Sequence, residues 1–200
     1  MTAPRPPSAQ FIGSFPNPDV VLTPALPEIA IIGRSNVGKS SLLNALVQKP
    51  GLARVSASPG KTTLLNVFRL PDCYLIDLPG YGFARASKTA REGYRHLVTT
   101  YLTHRQTLAG VVWLLDIRHP PSKDDLAMQT LLVESNRPVL AVLTKADKLG
   151  RQAQRVRAEA LAAALGLPED QIQLTSAKSG LGIPDLQASI AAAAQHAATG

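Results

Sequence analysis

An apolar run, Ile29-Ala30-Ile31-Ile32, passes without a break into Gly33-Arg34-Ser35-Asn36-Val37-Gly38-Lys39-Ser40, after which Leu42, Leu43, Leu46 and Val47 recur at helical spacing. A buried strand followed by G-x-x-x-x-G-K-[ST] and then by a 3.6-residue period is a strand turning through a phosphate-binding loop into a helix. The pattern commits the chain to an α/β fold with its loop at the carboxyl end of a strand. The residue types follow from the ligand. Glycines let main-chain N–H groups turn inward around phosphate oxygens, where a Cβ would collide. Lys39 carries charge to the β- and γ-phosphates, Ser40, with Ser41 beside it, offers a hydroxyl to Mg²⁺, and the helix points its positive dipole end at the same anion. A nucleoside triphosphate is the expected ligand.

The 200 residues suffice for one domain with a full core, burying about 70% of the surface its unfolded chain exposes. A single cysteine, Cys73, excludes an intramolecular disulfide and reads as a buried small hydrophobe. A cytoplasmic location is expected: no apolar run approaches a membrane span, and Met1 to Pro7 is proline-rich rather than basic and then apolar. A formal charge of +7 and a pI near 9.9 point to a polyanionic partner. Residues 1–27 read as an N-terminal extension, the first eight or so disordered. Residues 28–194 then form the domain, and 195–200 a short tail.

Gln10-Phe11-Ile12 is expected as a short edge strand. The helix from Gly38 stops before Pro50-Gly51, and the Pro71-Asp72 turn joins Leu64–Leu70 and Cys73–Asp77 as an antiparallel hairpin. Tyr94, Leu97, Val98, Tyr101 and Leu102 form the apolar stripe of a helix. Val111–Leu115 and Val139–Leu143 read as buried parallel strands separated by a helix that Ser122 caps with Asp125 three residues on. A helix over 151–165, a strand at Gln171–Leu174 and a last helix near Pro184 complete a doubly wound, mostly parallel sheet with one antiparallel edge strand.

Three further motifs fall at strand ends. Asp77-Leu78-Pro79-Gly80 has the D-x-x-G form of a γ-phosphate sensor: Asp77 holds Mg²⁺ through water, and the Gly80 N–H meets a phosphate oxygen that hydrolysis removes. Thr144-Lys145-Ala146-Asp147 and Thr175-Ser176-Ala177-Lys178 together read the base. A carboxylate at Asp147 accepts both N1–H and N2–H of guanine, and the Ala177 N–H meets its carbonyl. A buried carboxylate facing the wrong base edge costs a few kcal/mol, a discrimination on the order of 10³ or more. GTP and GDP are therefore the expected ligands.

These motifs, together with Pro59-Gly60-Lys61-Thr62, resemble the translation-factor-related GTPases, P-loop proteins with a Ras-like G domain. The finer set G-R-S-N-V-G-K-S-S, S-P-G-K-T, D-L-P-G-Y-G, D-I-R-H-P (Asp116 to Pro120) and T-K-A-D is similar to the EngB (YihA/YsxC) family of bacterial GTPases. Thr144, in place of the asparagine of the general pattern, agrees with that subgroup. The resemblance implies slow GTP hydrolysis, assembly of the large ribosomal subunit, and a need for the protein in normal cell division and septation. It implies that Gly60, Lys61, Thr62, Thr63 and Leu64 also surround the nucleotide. A glutamine commonly follows the switch threonine and this chain has Thr63, so either hydroxyl can be the Mg²⁺ ligand; Thr62 is the choice because it follows Pro-Gly-x.

Phosphoryl transfer to water needs positioning and charge neutralisation, which Lys39, Thr62 and Gly80 address. Tyr81 stands where a Ras-like enzyme has its water-orienting glutamine, and a phenol is a poor base near neutral pH. By resemblance, Asn36 coordinates K⁺ against the phosphates in place of an arginine finger, so turnover rises in K⁺ relative to Na⁺. Arg85, Lys88, Arg91, Arg95, His96 and Arg105, with Lys61 and Arg69, put positive charge beside the two switches, where phosphates of a large-subunit precursor can dock. No membrane contact is expected, and the chain reads as a monomer. The alternative readings are a P-loop phosphotransferase acting on a small molecule, which the Lys-Ala-Asp base reader disfavours, and a nucleotide-gated signalling module without ribosome binding.

Overall fold

The computed structural model describes residues 9–53, 64–82 and 87–199. Its centre is a seven-stranded sheet made of β1 (Gln10–Phe15), β2 (Glu28–Gly33), β3 (Leu65–Arg69), β4 (Tyr74–Asp77), β5 (Leu108–Asp116), β6 (Val139–Thr144) and β7 (Ile172–Leu174), in the order β1-β3-β4-β2-β5-β6-β7. The helices are α1 (Lys39–Leu46), α2 (Lys88–His104), α3 (Lys123–Glu134), α4 (Arg151–Leu165) and α5 (Ile183–Thr199). Strands buried on both faces need near-continuous apolar residues, as Ile29 to Ile32 of β2 show. Ala30 and Ile32 pack with Val111 and Trp113 under α2, α3 and α4, whereas Ile29 and Ile31 pack with Val112 and Leu114 under α1 and α5.

From β2 the chain passes out to β3 and returns through the hairpin to β4 beside β2, then crosses to begin β5 on the other side. The order therefore reverses at β2, and the loops leaving its carboxyl end and that of β5 diverge to leave a crevice. Local chemistry sets the element ends. Ser122 caps α3 as expected, and Asp125 returns the bond to complete a reciprocal capping box; the β3–β4 hairpin pairs Asn66 with Asp77 and Val67 with Ile76.

β1, expected as a short edge strand at Gln10-Phe11-Ile12, runs on to Phe15 and pairs antiparallel with β3 as the outermost strand of the sheet. The antiparallel β3 thus lies one place in from the edge. Its outer backbone groups would otherwise lack ladder partners, and Phe11 packs tilted against Phe68 with ring centroids 5.4 Å apart.

Candidate nucleotide site

The phosphate loop leaves β2 at Gly33. A Cβ there would stand 2.8 Å from the Leu114 Cβ and 2.9 Å from the Val37 Cγ1, so only glycine fits. Asn36 (φ 64°) and Gly38 (φ 103°) both take left-handed conformations that turn the loop back toward α1. Asparagine tolerates that region, which supplies a conformational reason for Asn36. Gly38 is the N-cap of α1 and contributes no side-chain bond, leaving first-turn N–H groups for an external acceptor. Val37 is buried and holds the loop onto the core, while Arg34, Ser35, Lys39 and Ser40 are half-buried and Ser41 is exposed.

Asp77 ends β4 and is buried beside the loop. Its Oδ1 is paired with the Lys39 ammonium, and its Oδ2 accepts a hydrogen bond from Asn66 Nδ2 at 3.0 Å. Asn66 Oδ1 in turn accepts from the Ser14 hydroxyl at 2.6 Å. Asn66 is a functional neighbour that sequence reasoning missed, although counting outward from the Pro71-Asp72 turn places it opposite Asp77. The Ser40 hydroxyl and the Asp77 carboxylate are hard oxygen donors of the kind Mg²⁺ accepts. Among the described residues no group of three or more His, Cys, Asp and Glu is gathered.

The segments expected to read the base meet at the ends of β6 and β7. The Thr144 hydroxyl lies 2.7 Å from the Val37 carbonyl and 3.2 Å from that of Leu115, tying this loop to the phosphate loop. Lys145 is left-handed (φ 61°), and its ammonium donates to the Asn36 carbonyl at 2.6 Å while resting 3.0 Å from Asp116 Oδ2. Arg118 grips the same carboxylate, with Nε 2.9 Å from Oδ1 and Nη2 2.7 Å from Oδ2. Burial opposes ionisation of Asp116, but the bonds from Arg118 and Lys145 outweigh it and hold its carboxyl well below the usual carboxylate range. The sequence assigns Asp116 and Arg118 to a motif without a role; the structure makes them the clamp on Lys145.

Asp147 begins beyond that lysine, and its Oδ1 accepts from the Ser176 hydroxyl at 2.7 Å. That bond holds the Asp147 carboxyl below its ordinary range, and Oδ2 lies 3.9 Å from Lys148. An ionised acceptor is therefore fixed at the mouth of the crevice. Ala146 N–H donates to the Thr175 carbonyl at 3.1 Å and Thr175 N–H to that of Leu143 at 2.8 Å, so the two loops are stitched by main chain. Lys178 is exposed and Ala177 half-buried.

The structure brings together Gly33–Ser41, Asp77–Gly80, Thr144–Asp147 and Thr175–Lys178. Several of these residues can act only through main chain, because the side chains of Val37, Leu78, Ala146 and Thr175 are sealed in the interior. Gly60, Lys61, Thr62 and Thr63 lie outside the described residues, and Leu64 stands half-buried just ahead of β3. Of the basic surface, Arg91, Arg95 and His96 are exposed on α2 and Arg69 is half-buried, while Arg85 lies outside the described residues. Arg105 does not belong to that surface. Its guanidinium is turned inward, with Nη2 2.6 Å from the Oε1 of the buried Glu28. Tyr81, the residue after Gly80, is buried as well, so its phenol does not face the crevice.

A phosphate loop, an acidic strand end and a fixed carboxylate, all at the carboxyl edge of a doubly wound sheet, define a P-loop GTPase. The family model of the 50S ribosome-binding GTPases matches residues 28–145. "Probable GTP-binding protein EngB" of Desulfatibacillum aliphaticivorans is 44% identical over 184 residues, covering 92% of this chain and 90% of that protein. Its counterpart of the same name from Exiguobacterium sibiricum is 50% identical over 144 residues, 72% and 75% of the two chains. The chain belongs to the EngB family of GTP-binding proteins. A solved structure described as a probable GTP-binding protein EngB superposes with a TM-score of 0.70 at 24% identity, over 84% of this chain and 99% of that one, a likeness of fold.

Proposed function

We propose that this protein is a guanine-nucleotide switch that binds an assembling large ribosomal subunit and uses hydrolysis of GTP to GDP for its release, and that normal cell division and septation depend on it. The observation that carries this reading is the clamp at the ends of β2, β5 and β6, where Lys145 is held between Asn36 and Asp116 so that the base-reading and phosphate loops form one surface. In this reading Gly33–Ser41 wrap the phosphates, and Lys39 leaves Asp77 for the β- and γ-phosphates when nucleotide enters. Asp147 and Ala177 then read the purine, with Thr144, Lys145, Ala146, Thr175, Ser176 and Lys178 shaping its seat. Gly60 to Leu64 form one switch, and Asp77 to Gly80 sense the γ-phosphate and set the conformation of the segment that follows.

Ser40 and Thr62 would hold Mg²⁺ directly and Asp77 would hold it through water; when bound, the ion neutralises charge on the phosphate oxygens. Asn36 is the proposed K⁺ contact. Tyr81 leaves the attacking water without a side chain from the position after Gly80, which gives a monovalent cation something to do. The protein works as a monomer in the cytoplasm. Among the described residues no helix is long and apolar enough to cross a membrane.

Sedimentation with ribosomal subunits in GDP, GTP and a non-hydrolysable analogue, at two salt concentrations, tests the proposal. Binding to large-subunit particles with the analogue, release with GDP and weakening with salt are expected. Nucleotide-independent association with any RNA would refute it. Equal turnover in K⁺ and Na⁺ would remove the Asn36 assignment alone.

A further inference from the structure

Tyr81 is bound from two directions. Its main chain joins the phosphate loop: its N–H donates to the Gly33 carbonyl at 3.3 Å, and its carbonyl accepts from Ser35 N at 2.9 Å and from Ser35 Oγ at 3.1 Å. Its side chain crosses the interior. The hydroxyl donates to Asp125 Oδ1 at 2.8 Å and accepts from Trp113 Nε1 at 2.8 Å. Asp125 Oδ2 is engaged by the Ser122 N–H at 2.8 Å and the Ser122 hydroxyl at 2.6 Å. Tyr81, Asp125 and Trp113 are 5%, 4% and 1% exposed, so these bonds have no competing water. Burial, aided by the Asp125 carboxylate and opposed by the bond from Trp113, raises the phenol pKa and keeps the hydroxyl a donor.

The next residue is built differently. Gly82 has φ +81°, and a Cβ there would stand 2.9 Å from Arg34 Cγ and 3.3 Å from Asp124 Oδ2. Glycine visits both halves of backbone space, so this is the nearest point at which the chain can turn freely. The atoms nearest Gly82 belong to side chains that can move, whereas those nearest Gly80 are main chain: a Cβ there would meet the Gly33 carbonyl oxygen at 3.2 Å and Ser35 N at 3.4 Å.

We propose that Tyr81 is a positioning residue for GTP hydrolysis: the hydrogen bonds of its hydroxyl to Asp125 and Trp113, with its main-chain bonds to Gly33 and Ser35, hold Gly80 against the phosphate loop, so that nucleotide-dependent rearrangement begins at Gly82. The proposal rests on the reading of Gly80 as the γ-phosphate contact. The anchor explains why an aromatic residue with a hydroxyl stands where a water-orienting glutamine is otherwise found. It serves the reaction by presenting the main chain, without touching the attacking water.

The test is Tyr81→Phe, which keeps the ring and removes the hydroxyl. Single-turnover GTP hydrolysis should fall about tenfold, the factor produced by ~1.4 kcal/mol of lost alignment, while GDP affinity stays within about twofold. Glu28→Ala, at the end of β2 away from Gly33, leaves the Tyr81 anchor intact; it should lower the melting temperature and leave the hydrolysis rate alone. If Tyr81→Phe does not fold, Asp125→Asn, which keeps the phenol and weakens its acceptor, should show the same split. Trp113 is the only tryptophan in the chain, so its emission reports this junction directly. In the wild-type protein that emission should match in GDP and in a non-hydrolysable GTP analogue. A nucleotide-dependent change there, unaltered hydrolysis in Tyr81→Phe, or equal losses of rate in Tyr81→Phe and Glu28→Ala would overturn the anchor. Failure of the wild-type chain to bind GTP would instead refute the reading of the site on which it rests.

Discussion

Glu28 offers the sharpest test of how the sheet is held at the end away from the nucleotide. Its carboxylate is 1% exposed at the start of β2 and gathers donors from three residues. Arg105 approaches with Nη2 2.6 Å from Oε1 and Nε 3.0 Å from each oxygen, Tyr101 donates to Oε2 at 2.5 Å, and Thr107 to Oε1 at 2.6 Å. Glu28→Ala strands a guanidinium whose side chain is 13% exposed and leaves two hydroxyls without their acceptor. Removing one partner of a buried ion pair costs about 3–5 kcal/mol. For a domain of this length that lowers the melting temperature by roughly 6–20 °C, at 2–4 °C per kcal/mol. Affinity for GDP should change less than twofold, because Glu28 lies at the opposite end of β2 from Gly33. Thermal unfolding by circular dichroism, with calorimetric GDP titration, measures both. A double-mutant cycle with Arg105→Ala should return a coupling above about 1 kcal/mol. A melting shift under about 2 °C, or zero coupling, would refute the account of Glu28 as the hub of a desolvated network.

Three further outcomes are expected. Lys39→Ala should weaken GDP and GTP binding by about a hundredfold or more, as loss of a charge-assisted phosphate contact does, while unfolding stays cooperative; unchanged affinity by calorimetry would contradict the loop assignment. The folded-state carboxyl of Asp116 is held below its ordinary value of 3.8, so its contribution to stability is complete above that pH and is lost as the pH falls below it. Melting temperatures taken from about pH 6 to pH 3 should therefore fall less steeply in Asp116→Asn than in wild type, and parallel curves would dispute the clamp. Burial, with Asp72 nearby, pushes the Cys73 thiol up to about 11, so an aromatic disulfide reagent at neutral pH should label it slowly when native and quickly in denaturant; equal rates would mean that Cys73 is accessible.

Most of the strand and helix pattern was legible because its causes are local. Ser122 and Asp125 cap α3 within one turn, and Pro71-Asp72 dictates a hairpin whose register needs no distant information. The stripe Leu97, Val98, Tyr101 and Leu102 is buried as its period requires. Arg105 shows where such reading stops. By composition it extends the basic row of α2, yet its partner Glu28 lies 77 positions away and becomes a neighbour only once α2 packs across the sheet. The same limit hid Asp116, whose clamp on Lys145 depends on β5 and β6 lying side by side.

The sequence by itself determined the phosphate loop, the family and the alternation of strands and helices, since each depends on glycine conformation, capping or side-chain period within a few residues. Only the tertiary structure decided that β1 closes the sheet, that Arg105 is inside, and that Tyr81 turns from the crevice toward Asp125 and Trp113. These outcomes are set by desolvation and by partners that strand order brings together, and neither quantity is carried by a short stretch of chain.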